Sequence, residues 1–496
     1  MEFDAIVVGS GATGGWAAKE LAASGLRVCV LEAGPLFEHM RRRSSAEPFE
    51  KRFAIQTRLP ICSAPHRHLF VDDVDHPYTT PDDRPFTWIR GRVVGGRMRT
   101  WGRVSLRISE HDLTAPERDG IGEPWPISYA ELAPFYDEVE TFLEVAGSRE
   151  QLPWLPDGQF VAPVCEATDG FQRLRGVVQE RFSGMRAIPG RVALGEAAAT
   201  LGAALATGNV TLRTDAIACR VLADRDGRRA RGIAFVDRVT KQTHEVLGRV
   251  VVLAASAIET ARLLLLSAPG GLGNASDVLG RNLMDHVQVS AGGTMPGLRP
   301  AADAQDLAGT CYIPRFRNVG GASAAFARGY GIHANVQGSA FGGAGPVFFY
   351  LMGMGEMLPN RDNRVTLDPE VVDAWGIPAA RISCAHGENE VAMAKDQQAV
   401  LAELVAALGF ELFPGHELAR AVPGATVHEV GTARMGASPK TSYLNAHNQA
   451  WEVPNLYVVD GSCFTTSSWQ SPTLTMMALA VRAARHIVGE LERMNL

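Results

Sequence analysis

The stretch Asp4–Glu32 constrains the fold more than any other part of the chain. Ala5–Val8 form an uninterrupted apolar run, which is typical of a parallel strand that is buried on both faces. Gly9, Gly11 and Gly14 follow with the spacing GxGxxG. In such a turn the first glycine allows the tight bend, the second lets a pyrophosphate approach the backbone, and the third lets a helix pack on the strand. The stretch therefore predicts a dinucleotide-binding unit.

Neighbouring residues complete this unit. We expect a helix over Thr13–Ser24, ended by Gly25, whose amino end directs free N–H groups and a positive dipole at the phosphate. Arg27–Leu31 predicts the second strand. Glu32 follows at the offset where a carboxylate binds both hydroxyls of an adenosine ribose. The motif leaves open whether the dinucleotide is FAD or NAD.

Length and charge limit the class of protein. A chain of 496 residues is long enough for two or three domains. The formal net charge of −6 argues against nucleic acid or an anionic membrane as partner, because either would favour a basic face. We expect no membrane span, since no run of eighteen apolar residues is present.

The cysteines and the start of the chain indicate a cellular compartment. Seven cysteines are scattered with neither a CxxC pair nor zinc spacing, which favours reduced thiols. The first strand begins by about residue 3, which leaves no room for a secretory signal. We therefore expect a cytoplasmic protein. His66, His68 and His76 have irregular spacing and are interpreted as loop histidines, so no metal site is predicted.

Later segments predict a cofactor domain assembled from distant parts of the chain. Arg249–Ala254 is an apolar strand that suits the parallel sheet of the first strand, and a helix over Ala257–Ser267 follows it. Near the end of the chain, Asn455–Val459 predicts another strand and Pro472–Leu491 a helix. This second strand, turn and helix suggests that the carboxyl-terminal part folds back onto the first unit.

Residues 286–425 predict a second domain. Val347–Met352 and Arg364–Asp368 alternate as strands do, and a helix over Asn389–Leu408 is rich in alanine and leucine. Ser128 and Glu131 form a capping box that predicts the start of another helix. Residues 320–345 are rich in glycine, alanine and serine, and are either a mobile cover over a site or an irregular connection.

Six motifs in a fixed order give the chain a resemblance to a known family. They are GSGATGG with Glu32, GRVVGG at 91–96, GRNLMDH at 280–286, NRVTLDP at 363–369, HEVGTARMG at 428–436, and NLYVVDGS followed by SPTLTMMALA at the carboxyl end. With them the chain resembles the glucose-methanol-choline (GMC) family of FAD-dependent oxidoreductases. The RMG and PTLT forms are most similar to bacterial sugar and glycoside dehydrogenases and to the pyranose-oxidase branch.

The resemblance implies an α/β fold with two domains. A Rossmann-like FAD-binding domain is assembled from discontinuous segments, at 1–35, 86–110, 200–285 and 426–496. An α+β substrate-binding domain with an antiparallel sheet, together with connecting and lid segments, takes 36–85, 111–199 and 286–425.

The resemblance also implies which residues bind FAD. Glycine turns and backbone groups would hold the pyrophosphate, the adenine and the flavin ring, and the amino end of the last helix would face the pyrimidine side of the ring. These residues are Gly9, Gly11, Ala12, Thr13, Gly14, Glu32, Ala33, Gly95, Gly96, Ala216, Ile217, Asp460, Gly461, Pro472 and Thr473. Some relatives link FAD covalently through a histidine, and the matching position here is Thr100, so we expect non-covalent FAD.

The chemistry implied is the oxidation of an alcohol. His428, which opens the HxxGTxRMG motif, would be the base, and its pKa is expected near neutrality. The family's partner, a histidine or asparagine before the PTLT segment, is replaced here by Ser471, preceded by Gln470; either side chain is able to hydrogen-bond a substrate hydroxyl.

The leading expectation is oxidation of a secondary hydroxyl of a sugar or glycoside to a ketone. Oxygen, a quinone or a redox partner would accept the electrons. Three alternatives remain open: oxidation of a primary alcohol, on an amino sugar or a small alcohol, to an aldehyde; a lyase that keeps FAD without redox chemistry; and flavin binding without catalysis.

Overall fold

The computed structural model describes residues 2–39, 69–161, 168–196, 199–298, 309–321, 323–338 and 346–496. They fold into a mixed α/β structure with several sheets. The described strands have the following bounds: β1 Phe3–Val8, β2 Val28–Leu31, β3 Tyr78–Thr79, β4 Val145–Ala146, β5 Ile188–Pro189, β6 Val192–Ala193, β7 Val210–Arg213, β8 Ala216–Ala223, β9 Ala230–Asp237, β10 Thr243–Leu253, β11 Arg281–Met284, β12 His286–Thr294, β13 Thr310–Ile313, β14 Tyr330–Gly338, β15 Phe348–Glu356, β16 Arg364–Val372, β17 Pro378–Ser383, β18 Glu411–Leu412, β19 Val430–Thr432 and β20 Leu456–Val458.

The described α-helices are α1 Ala12–Ala23, α2 Glu110–Leu113, α3 Ala115–Asp119, α4 Tyr129–Phe142, α5 Asp169–Arg181, α6 Ala199–Ala206, α7 Ala257–Ser267, α8 Glu388–Leu408 and α9 Thr473–Glu492. Short 3₁₀ turns cover Gly96–Thr100 and Gly461–Cys463. The predicted capping box is present, because Ser128 Oγ accepts from Glu131 N and Glu131 Oε2 accepts from Ser128 N. None of the described helices combines the length and the apolar character that crossing a membrane requires.

The first sheet is built on the apolar opening strand. Strand β1 pairs in parallel with β2 on one side and β10 on the other, β2 pairs with β7, and β10 pairs with β20. Ala5, Ile6 and Val7 are fully buried, as expected for a strand covered on both faces. The predicted strand, helix and strand are confirmed as β1, α1 and β2. Because β20 lies beside β10, the carboxyl-terminal segment does fold back onto the opening unit.

A six-stranded antiparallel sheet forms the second layer. Its order is β18-β12-β15-β14-β13-β5. Helix α8, the predicted alanine-rich helix, packs on one face, where Gln397 Oε1 accepts from Val289 N and Gln397 Nε2 donates to Val287 O. The structure corrects the expectation for residues 320–345. Tyr330–Gly338 is neither a cover nor an irregular connection, because it forms β14 in the interior of this sheet; residues 322 and 339–345 lie outside the described part.

A third sheet joins segments from both predicted domains. Its order is β19-β11-β16-β17-β3, so strands at 430–432 and 281–284 continue into strands from the range 286–425. The predicted domain division therefore crosses a hydrogen-bonded sheet, and it stays a prediction.

The described residues include some of the histidines and cysteines that were predicted to lie outside any site. His66 and His68 lie outside the described residues. His76 Nδ1 is 2.5 Å from Arg92 Nη1, and its ring stacks on Trp375. Cys29, Cys219, Cys384 and Cys463 are free thiols. Across the described part of the chain, no group of three or more His, Cys, Asp or Glu side chains is arranged to hold a metal ion.

Candidate active site

The glycine turn after β1 gives each glycine a different environment. Gly9 has a φ of +102°, a conformation that favours glycine. A Cβ added to Gly14 would lie 1.9 Å from Gly9 O, so α1 approaches the turn as closely as glycine permits. A Cβ added to Gly11 would meet nothing closer than 4.0 Å. The turn is thus tight at the first glycine, open at the second and packed at the third.

Glu32 ties the turn to the second glycine motif. Its Oε2 accepts from Ser10 N at 3.2 Å and Ser10 Oγ at 2.5 Å, and its Oε1 accepts from Gly34 N at 2.9 Å. Ser10 Oγ in turn accepts from Gly95 N at 3.0 Å. Burial raises the pKa of Glu32, while the Ser10 and Gly34 donors act to lower it. The side chain predicted for ribose binding thus fixes the position of the glycine turn.

A cleft that is partly open to solvent passes over this turn. It runs past most of the residues predicted for cofactor binding. Those that line it are Gly9, Gly11, Ala12, Thr13, Glu32, Ala33, Gly96, Ala216, Ile217, Asp460, Gly461, Pro472 and Thr473. Gly14 and Gly95 do not line the cleft.

Helix amino ends and a locked carboxylate supply the polar features of the cleft. The first residues of α1, α7 and α9 all line it, and the free N–H groups and dipoles at such ends favour anionic groups. Asp460 is held in place because its oxygens accept from Ser256 N, Thr260 Oγ1, Ser462 N and Ser462 Oγ. These helix ends and donors fit the anionic groups of a dinucleotide.

His428 lines the cleft together with Pro472 and Thr473. Its ring centroid is 5.0 Å from that of His286, with the two rings nearly perpendicular. Its Nδ1 is buried and has no hydrogen-bond partner among the described residues. Burial, the neighbouring His286 and His333, and the charge of Arg97 hold the pKa of His428 well below its ordinary value. The expectation of a near-neutral pKa is therefore wrong: the imidazole is kept neutral by its buried surroundings.

The two candidates for the second catalytic residue lie beside the cleft rather than along it. Ser471 is 2% exposed and immediately precedes Pro472, the N-cap of α9. Gln470 is fully buried, and its Nε2 donates to Arg107 O at 3.2 Å and Asp112 Oδ2 at 2.8 Å. The Gln470 amide is thus engaged both with α2, through Asp112, and with the segment before it, through Arg107.

Sequence reasoning missed the groups that hold the loop of His428. Asp285 accepts hydrogen bonds from this loop. Arg97 Nη1 donates to Val427 O at 2.9 Å and to Glu429 Oε2 at 2.8 Å. Asp285 lies in the GRNLMDH motif, and Arg97 directly follows the GRVVGG motif. The spacing of the motifs along the chain does not indicate that the two meet at residue 428.

Comparison with known proteins agrees with this architecture. The family models described as "GMC oxidoreductase" match residues 3–288 and 359–480. The 2-methyl-1,2-propanediol dehydrogenase of Mycolicibacterium austroafricanum is 32% identical, over 98% of this chain and 95% of that protein. The fructose dehydrogenase large subunit of Gluconobacter japonicus is 26% identical, over 99% and 98%.

A solved structure, pyridoxine 4-oxidase from Mesorbium loti, shares the fold. It superposes with a TM-score of 0.65 at 18% identity, covering 97% of this chain and 98% of that one. The family models together span most of the sequence. The chain belongs to the GMC oxidoreductase family.

Proposed function

We propose that this chain oxidises a secondary hydroxyl of a sugar or glycoside to a ketone, with FAD as cofactor and His428 as base. GMC oxidoreductases are flavoproteins, and FAD when bound supplies the hydride acceptor. The observation that carries the proposal is a half-buried imidazole, kept neutral by its surroundings, in the same cleft as the opening glycine turn and the amino end of α9.

The chemistry divides between the cofactor and the histidine. The hydroxyl proton must leave as the carbon loses hydride, and a neutral imidazole has a lone pair that takes this proton. A low pKa keeps His428 in that form at neutral pH.

The substrate class rests on the relatives. Their names include fructose dehydrogenase and C-glycoside 3-oxidase, and both names refer to a sugar or a glycoside.

A second candidate is oxidation of a primary alcohol to an aldehyde. It is favoured by the relative named for 2-methyl-1,2-propanediol. Of the two carbons that carry a hydroxyl in this compound, only the primary one also carries hydrogen. Paromamine 6'-oxidase of Streptomyces fradiae, 28% identical over 99% of this chain and 92% of that protein, is a further relative that is named for an amino sugar. Product analysis after one turnover distinguishes the candidates, because a ketone and an aldehyde form different hydrazones.

The test is to add candidate substrates to the purified protein without oxygen and to follow the visible flavin band. Bleaching by a sugar or glycoside supports the proposal. If FAD is bound and no alcohol bleaches it, the proposal fails, and the lyase and non-catalytic interpretations gain. Adding oxygen, a quinone or an artificial acceptor afterwards then identifies the class of electron acceptor.

We propose that residues 1–35, 86–110, 200–285 and 426–496 bind FAD and that 36–85, 111–199 and 286–425 complete the substrate side. The glycine turn and the parallel strands of the first set support this division. The assignment of the second set to the substrate side is supported by its antiparallel sheet.

FAD is expected to be bound without a covalent link. Thr100 lines the cleft at the position where some relatives carry a linking histidine, and its hydroxyl donates to Arg97 O at 3.2 Å. Within the described residues, His428 is the histidine that lines the cleft. Protein precipitated with acid should leave all of its yellow colour in the supernatant. Colour retained in a washed pellet would contradict non-covalent binding.

Ser471 is proposed to hydrogen-bond the substrate oxygen, with Gln470 as the alternative. Replacing Ser471 with alanine should slow bleaching about 10-fold, the equivalent of one hydrogen bond, and Ser471→Asn should restore most of the rate. Ser24→Ala, at the exposed end of α1, controls for the loss of a hydroxyl elsewhere. An unchanged rate in Ser471→Ala would leave Gln470 as the candidate.

A further inference from the structure

The backbone before His428 adopts a conformation that its residues do not favour. Val427 has a φ of +58°, in the left-handed region that is a genuine outlier for a β-branched side chain. Such residues persist where surrounding contacts impose them, and they cluster at functional sites. The segment Gly424–His428 therefore needs external contacts to hold the histidine where it is.

The carboxylate of Asp285 supplies those contacts. Its Oδ2 accepts from Gly424 N at 2.7 Å and Thr426 N at 3.3 Å. Its Oδ1 accepts from His428 N at 3.2 Å and also from Thr426 Oγ1. Asp285 is fully buried. The four hydrogen bonds that its carboxylate accepts here all come from the five-residue segment that ends at His428, the proposed base.

Asp285 also connects this segment to the substrate side of the molecule. It lies between β11 and β12, directly before His286, whose ring faces that of His428. The opposite side of the segment is held by Arg97, through Val427 O. The loop of His428 is thus fixed between the second glycine motif and the start of the antiparallel sheet.

We infer that Asp285 is a positioning residue, which fixes the backbone of Gly424–His428 and thereby directs the imidazole at the reacting hydroxyl. This inference rests on the proposed function, because it assigns Asp285 a role through His428. An acceptor-only group is required: an amide at this place would turn an N–H toward a backbone N–H. A small displacement of a catalytic group is enough to cost a large factor in rate.

The experiment compares Asp285→Asn with the wild-type holoenzyme under anaerobic conditions. The limiting rate constant of flavin bleaching should fall about 100-fold, while FAD content and the substrate concentration giving half-maximal rate change less than about 3-fold. Thr426→Val, which removes one of the four donors and keeps the carboxylate, should lower the rate constant about 10-fold; it serves as the test if Asp285→Asn does not fold.

Two further variants separate positioning from a general structural role. In Asp157→Asn a carboxylate that accepts from Glu150 N and Gln151 N away from the cleft is lost, and the rate constant should stay at the wild-type value. Adding Val427→Gly to Asp285→Asn should recover part of the lost rate, because glycine adopts a positive φ without strain.

A wild-type rate in Asp285→Asn, or an equal fall in Asp157→Asn, would overturn the inference. Either result leaves the proposed function standing as long as the wild-type flavin bleaches. Failure of the wild-type flavin to bleach with any alcohol is instead the failure of the proposed function.

Discussion

Replacing His428 with alanine is expected to lower the rate constant of flavin bleaching by about 10²–10⁴-fold, the contribution typical of a positioned general base. The variant should still bind FAD, because the glycine turn, Glu32 and Asp460 are untouched. The reason for the fall is that the hydroxyl proton then leaves to water rather than to a neutral imidazole. The measurement is anaerobic stopped-flow absorbance at saturating substrate.

Two controls make this result specific. His244→Ala removes a histidine of β10 that stacks on Phe235 outside the cleft, and it should bleach at the wild-type rate. Free imidazole added to His428→Ala should restore part of the rate, because it replaces the missing base. Near-normal bleaching in His428→Ala would end the assignment of this residue as base.

The second large effect is a loss of stability in mild acid. Burial lowers the pKa of His286 to about 4 and that of His333 to about 3. In the unfolded chain both titrate near the ordinary value of 6.5. Below pH 6.5 the unfolded state binds protons that the folded state does not. The contribution of these two histidines to the free energy of unfolding is therefore unchanged above about pH 6.5, and it falls as the pH drops toward the folded pKa values.

The size of this effect follows from the difference in proton binding. At about pH 5, each histidine that the fold keeps neutral lowers the free energy of unfolding by about 2 kcal/mol relative to neutral pH, or about 4 kcal/mol for the pair. Urea unfolding at saturating FAD measures it. In His333→Gln the difference in free energy of unfolding between neutral pH and about pH 5 should change by about 2 kcal/mol relative to the wild type. A variant with the same pH dependence as the wild type would contradict the buried, neutral state of His333.

Local patterns in the sequence were enough to predict the elements around the opening glycine turn. The apolar run of β1 and the three glycines act within a few residues of one another, so β1, α1 and β2 follow directly from spacing. Strand β20 and helix α9 were predicted for the same reason. Strand β14 was missed because glycine- and alanine-rich residues surround it, although Tyr330, Ile332 and Val336 do alternate with other residues; it pairs on its two edges with β13 and β15.

The chemistry of the site depends on contacts that no local pattern encodes. The low pKa of His428 comes first from burial and then from His286 and His333, which lie on separate strands. The engagement of the Gln470 amide with Asp112 joins the carboxyl-terminal motif to a short helix far away in the chain. The four bonds to Asp285 likewise appear only once the GRNLMDH segment packs against the loop of His428.

Whether this protein removes two hydrogens from a sugar-like alcohol, with His428 as base, is tested most directly by one measurement. Wild-type holoenzyme and His428→Ala, matched in FAD content, are mixed without oxygen with a sugar or glycoside that reduces the wild type. The visible flavin band should bleach quickly in the wild type and about 10²–10⁴-fold more slowly in the variant. Equal rates in the two proteins, or no bleaching of the wild type by any alcohol, would contradict the claim.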